Sequence, residues 1–145
     1  MQPYTLTEAT TDSSVRLAIS EPGVLTNLTF EPINRRSPAA DEVEIQVAAT
    51  GLNFRDVLMA LGQYPGEPVL GCECVGEVVA VGDAVQDLAV GQRVMGIAVG
   101  SFGQFVTVNR AMVMPVPENL SLTAAATIPV AFLTAHYSLV ECAQI

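Results

Sequence analysis

Apolar and polar residues change period several times along this chain, and each change marks an element. In Val43-Glu44-Ile45-Gln46-Val47 the apolar residues fall at every second position, the spacing of a half-buried strand with Glu44 and Gln46 on its solvent side. From Asn53 the period lengthens. Phe54, Val57, Leu58 and Leu61 follow the repeat of a helix that buries one apolar stripe, and Gly62 suits the left-handed conformation that ends such a helix. Val75–Val81 reads as a buried strand, and Arg93–Val99, Phe105–Val108 and Met112–Val116 as three more short strands separated by glycine and by Asn109-Arg110. Earlier in the chain, Val15–Ile19 and Leu25–Phe30 alternate weakly and predict two strands about the Glu21-Pro22-Gly23 turn. They follow a loose threonine- and serine-rich lead-in over residues 1–14, with room for one edge strand. Residues 31–42, with two prolines and mixed charges, read as an exposed connection, and Asp83–Gly91 as a loop. Near the end Ser121 predicts a helix cap before an alanine run, Pro129 interrupts that helix, and Phe132–Cys142 predicts a second one. Many short strands with helix confined to two places imply a mainly β chain folded as a barrel.

Composition narrows the function classes. At 145 residues the chain has the size of one domain with a single core. Its 15 acidic and 6 basic residues give a net charge of −9, which argues against nucleic acid and against an anionic membrane surface. All six bases are arginine, so no lysine is available for a Schiff base, a lysine proton donor or a phosphate-loop lysine. Three cysteines, Cys72, Cys74 and Cys142, are too few and odd in number for a secreted disulfide framework, and imply a reduced, cytoplasmic setting. Met1-Gln2-Pro3-Tyr4 lacks the basic start and apolar core of a signal peptide. The apolar run Leu122–Ala135 is shorter than the roughly 20 residues that span a bilayer, and it contains Pro129. It is expected to be a buried helix and not a membrane span.

The order of motifs from Gly51 to Gly82 carries a resemblance. Asn53-Phe54-Arg55-Asp56, an apolar segment, Gln63-Tyr64-Pro65-Gly66, Gly71-Cys72-Glu73-Cys74 and a valine-rich strand closed by Val81-Gly82 follow one another. This arrangement closely resembles the catalytic domain of zinc-free medium-chain reductases, above all the enoyl reductase domains of modular polyketide synthases and animal fatty acid synthase. The similarity runs from about Val43 through Gly91-Gln92-Arg93-Val94-Met95-Gly96-Ile97 to the Thr134-Ala135-His136-Tyr137 corner. It implies a GroES-like, partly open barrel over residues 1–120, then a helical segment over 121–145 leading to a nucleotide-binding (Rossmann) domain. No G-x-G-x-x-G occurs in the chain, so that domain is expected to lie outside it.

The activity implied is reduction of an enoyl thioester on an acyl carrier protein by NADPH, with neighbouring synthase domains as partners and a homodimer left open. A stand-alone quinone or enal reductase is the alternative within the enzyme class, and a GroES-like binding module without chemistry is the alternative outside it. By resemblance, Asn53 stands at the mouth of the cleft, where its amide can hydrogen-bond the nicotinamide or the substrate carbonyl, and Thr134 faces the nicotinamide; for Asn53 a plain helix N-cap is an equal reading, since asparagine is favoured there. Val57 and Leu58 stand on the substrate side, where some polyketide enoyl reductases carry a tyrosine linked to the stereochemistry of an α-branch. Tyr64 is a candidate proton donor, because a positioned phenol can protonate an enolate, against the commoner role of a packed ring in a turn. His136 is expected to be a partly buried helix histidine and not a catalytic one. Arg55, Asp56 and Glu73 are expected to serve structure. Zinc-dependent relatives place their catalytic ligands at the positions of Asn53, Cys72 and Val130, and an amide and a valine cannot complete that tetrahedral site. No bound metal is expected.

Overall fold

The computed structural model describes residues 13–145. Seven strands account for most of the regular structure. β1 (Ser13–Ile19) and β2 (Leu28–Asn34) form an antiparallel hairpin whose connection includes Gly23 and a 3-10 turn at Leu25–Asn27. β3 (Glu42–Thr50), β4 (Glu73–Val81), β5 (Arg93–Ile97), β6 (Phe105–Asn109) and β7 (Val113–Pro115) form one antiparallel sheet in the order β6-β3-β4-β5-β7. The hairpin is stitched to the segment before β6: the Leu17 N–H donates to the Phe102 carbonyl at 2.7 Å and the Gln104 N–H to the Val15 carbonyl at 3.0 Å. β6 and β7 end the larger sheet without pairing to each other, so the described residues form an open, curled sheet and not a closed barrel.

β4 is the central strand because both its faces are buried. Cys74 and Val78 join Val43, Ile45, Val94 and Val106 in one cluster, while Val75 on the opposite face packs with Met95, Ala125 and Ala126. The second cluster brings in α2 (Leu122–Ala125), which starts at Ser121, whose hydroxyl accepts the Ala124 N–H at 3.2 Å. α1 (Phe54–Ala60) crosses between β3 and β4, and α3 (Pro129–His136) continues into a π-helical turn at Tyr137–Cys142.

Several expectations are corrected. The second strand lies at Leu28–Asn34, later than expected, and runs through Pro32. A proline is tolerated there because, among the described strands, β2 pairs only with β1 and the missing donor costs no ladder bond on the other side. Glu44 is buried, only 4% exposed, although alternation assigned it to solvent. The alternation itself holds, with Val43 and Ile45 together on the opposite face, but Glu44's face is covered: Arg35 neutralises the carboxylate through two bonds of 2.9 and 2.7 Å while lying over the Phe105 ring at 3.9 Å.

The stripe on α1 is inverted: Asp56, Met59 and Ala60 are its buried residues, and Phe54 is 75% exposed. Pro129 opens α3 instead of interrupting a helix, because the first turn needs no N–H from it. Residues beyond Val130 are exposed, including Phe132, Leu133 and Tyr137, so the end of the chain is not a buried helix. Leu122–Cys142 is 21 residues long with a mean hydropathy of 1.3, long and apolar enough to cross a membrane by those two measures alone, but it is divided by the non-helical step between α2 and α3. The lead-in over residues 1–12 lies outside the described residues.

Candidate active site

Three elements meet at the carboxylate of Glu73, the first residue of β4 and only 4% exposed. Its Oε1 accepts a hydrogen bond from the Asn53 side-chain amide at 2.9 Å, and its Oε2 accepts the Val130 N–H at 2.8 Å. The first contact ties down the start of α1. The second places a negative charge at the start of α3, where unpaired N–H groups and the helix dipole favour an anion. Space for this side chain exists because residue 51 is glycine; a Cβ there would overlap the Glu73 carboxylate. The main chain of Glu73 is held as well, since the hydroxyls of Thr50 and Ser101 both donate to its carbonyl, at 2.6 and 2.9 Å.

Asp56 does a related job on the same edge. It is 2% exposed, and its oxygens accept the N–H groups of Asn53 and Gly71, both at 2.9 Å. The backbone of Asn53 is therefore fixed at the head of α1 while its amide is fixed by Glu73, so its helix-cap position and its place in the cluster are satisfied together. Cys72 completes the group. Its sulfur accepts from Arg55 Nη1 at 2.7 Å, and its S–H donates to Asp56 Oδ1 at 3.9 Å. Burial raises the Cys72 pKa, outweighing the pull of the Arg55 guanidinium, and pushes Cys74 up to about 12, so both are protonated thiols at neutral pH.

The sequence-derived candidates are distributed around this cluster. Asn53 is inside it. Val57 lies one turn further along α1, four residues from Asn53, and Leu58 three residues from Arg55; both are half-buried. Tyr64 is on the exposed loop after α1 and reaches the cluster through Arg55, whose guanidinium lies 5.5 Å from its ring centre. Thr134 sits one turn beyond Val130 on α3 and is exposed. His136 is exposed and lies 3.9 Å from the equally exposed Glu141, which corrects the expectation of partial burial. The positions matched to zinc ligands are occupied by the Asn53 amide, the Cys72 thiol and the Val130 peptide, and their contacts run to Glu73, Arg55 and Asp56. What the sequence did not reveal is the convergence on Glu73 and the two hydroxyls beneath it. The only available sign was Thr50-Gly51 shortly before Asn53, a small residue where a strand passes into a helix.

Residues 39–118 match the family described as the alcohol dehydrogenase GroES-like domain. The chain belongs to that family. Among curated relatives, the GroES-like chain is 45% identical over 137 residues to a phenolphthiocerol/phthiocerol polyketide synthase of Mycobacterium tuberculosis, covering 92% of its own length and 6% of the synthase polypeptide. Among solved structures it superposes on the CurK enoyl reductase with a TM-score of 0.86 at 41% identity, covering 91% of this chain and 44% of that one. It also superposes on the Escherichia coli quinone oxidoreductase complexed with NADPH, with a TM-score of 0.79 at 27% identity, over 89% of this chain and 41% of the other. The GroES-like chain thus spans less than half the length of each of these relatives, and its fold is that of the medium-chain reductase catalytic domain.

Proposed function

We propose that this GroES-like domain is the substrate-side portion of an NADPH-dependent enoyl reductase that reduces an enoyl thioester on an acyl carrier protein within a cytoplasmic polyketide or fatty acid synthase. The observation that carries the reading is the immobilised Asn53, joined through Glu73 to the start of the helix that bears Thr134, in a chain 41% identical to a polyketide enoyl reductase. In this reading the boundary falls at residue 120, with the open sheet before it as the substrate side and 121–145 as the helical lead to a nucleotide-binding domain. A nicotinamide cofactor bound there supplies the hydride. The residues present suit only its nicotinamide end, since Asn53 and Thr134 offer neutral hydrogen-bonding groups. Four of the arginines, Arg16, Arg35, Arg36 and Arg110, are taken by carboxylates, and no glycine-rich phosphate turn exists in the chain.

The roles of the remaining residues follow from position. Val57 and Leu58 line the path of the acyl chain. Tyr64, held by Arg55, delivers a proton to the α-carbon. The likeness to an NADPH-bound quinone oxidoreductase supports a second reading, a stand-alone quinone or enal reductase. The test is to express the longest natural polypeptide containing this chain and follow NADPH oxidation with a crotonyl thioester and with a quinone. Rapid thioester reduction with slow quinone reduction is expected; the reverse overturns the first reading in favour of the second.

A further inference from the structure

Four of the six arginines are paired with carboxylates by contacts of 2.7 Å or less: Arg16 with Glu31, Arg35 with Glu44, Arg36 with Glu42 and Arg110 with Asp87. Arg55 is built differently. Among the described residues no carboxylate forms an ion pair with it, and its contacts are a protonated thiol, Cys72, at 2.7 Å and the face of the Tyr64 ring at 5.5 Å. Neither contact is a carboxylate, and the neighbouring Asp56 carboxylate bonds to the same Cys72 sulfur and not to the guanidinium, so no direct ion pair occupies this half-buried cation. The Nη1 contact to sulfur and a weaker one to the Tyr64 side chain leave most of its five donors open. The head is also held in place. The Cys72 contact fixes it at the residue before Glu73, and the phenol ring covers it, so little side-chain freedom is lost when a ligand arrives.

Its location supplies the ligand class. Arg55 and Asn53 are two residues apart at the head of α1 and are anchored to consecutive residues of the chain, Cys72 and Glu73. Leu58, on the proposed acyl path, shares Arg55's side of the helix at a spacing of three.

We propose that Arg55 is an oxyanion-binding residue of this site, donating to a negatively charged oxygen of the thioester substrate. The inference rests on the enoyl reductase reading above. Two oxygens of the substrate have this chemistry. One is the thioester oxygen. When the β-carbon gains hydride the Cα=Cβ π bond breaks, its electron pair passes through the carbonyl to that oxygen as an enolate, and a proton added at Cα restores the carbonyl and leaves a saturated thioester. The other is a phosphate oxygen of the carrier's phosphopantetheine arm.

The experiment uses the full-length reductase and compares Arg55→Met with Arg55→Lys. The substrates are a crotonyl N-acetylcysteamine thioester, which has no phosphate, and crotonyl phosphopantetheine, which has one. If the oxygen is the enolate, Arg55→Met lowers kcat on both substrates by about 10²–10³-fold, the cost of losing one oxyanion donor. In that case the bound enolate of acetoacetyl N-acetylcysteamine, seen by its ultraviolet absorbance, also forms at higher pH than in the parent protein. If the oxygen is the phosphate, KM rises at least tenfold for the phosphopantetheine substrate alone. In either case Arg55→Lys, which keeps the charge, recovers much of the loss. Arg55→Met kinetics within twofold of the parent on both substrates overturns the proposal, as does an Arg55→Lys protein no better than Arg55→Met, which would assign the residue to planar packing on Tyr64. A parent protein that reduces neither thioester overturns the enoyl reductase reading and this inference with it, whereas an active parent with unaffected variants overturns this inference alone.

Discussion

Asp56 and Glu73 are carboxylates almost sealed from water, each with both oxygens bonded, and small changes there have large costs. Replacing Asp56 by Asn points an NH2 group at one of two backbone N–H donors. The expected loss is about 1–3 kcal/mol, read as a lower urea midpoint without a change in slope. Gly51→Ala forces the Glu73 side chain aside and is expected to cost a similar amount, about 1–3 kcal/mol, by the same measurement. The thiols give a pH prediction. Burial raises the folded-state pKa of both thiols, that of Cys74 to about 12, so the Cys74 contribution is fully present below about pH 8.5 and is lost as pH rises from there toward about 12, with Cys72 acting in the same direction. Alkylation at neutral pH is expected to modify exposed Cys142 first and to reach buried Cys74 only with denaturant, as peptide mass mapping would reveal. At this scale the sequence disclosed residue types but not their partners. Asn53 was legible as a helix cap and as a polar site, but nothing in the alternation around Glu44 announces that Arg35, nine residues away, will cover it.

Elements were more legible than contacts, because period is local and packing is not. The strands near Val15, Val43, Val75, Arg93 and Phe105 and the Ser121 cap all follow from spacing and residue type. α1 shows the limit. Its apolar residues do follow a helical repeat, but its buried face is set by Asp56, whose two backbone hydrogen bonds turn Phe54 outward. A hydrophobic pattern cannot foresee that a charged residue will claim the inside. The same turn predicts that Phe54→Ser leaves stability within about 0.5 kcal/mol, the range of ordinary surface substitutions, whereas Met59→Ala on the buried face costs about 2–5 kcal/mol. Thermal denaturation of the two variants side by side checks this.

Taken whole, the molecule presents an acidic open sheet and an uncovered apolar helical end, with the polar cluster around Glu73 between them. A dinucleotide carries several negative charges, and this chain offers it neither a phosphate turn nor a lysine. With Arg55 directed to the substrate oxygen, the dinucleotide is left one or two neutral hydrogen bonds at about 0.5–1.5 kcal/mol each, which cannot offset an association cost of at least about 4 kcal/mol. Calorimetric titration of NADPH into the 145-residue protein is therefore expected to show no micromolar binding, and a micromolar dissociation constant would contradict the domain assignment.

The bond from Val130 to Glu73 also has a mechanical meaning. α3 and the turn that follows it extend roughly 20 Å at about 1.5 Å per residue, and the base of that rod, with Pro129 buried and Ile128 packed on the core, is bonded to the sheet through one carboxylate. Like any lever held near its pivot, it magnifies error: a displacement of about 1 Å within the first turn, about 5 Å from the pivot, becomes roughly 4 Å at the tip. Whatever the far end of the rod carries is aimed by a side chain that it need never touch.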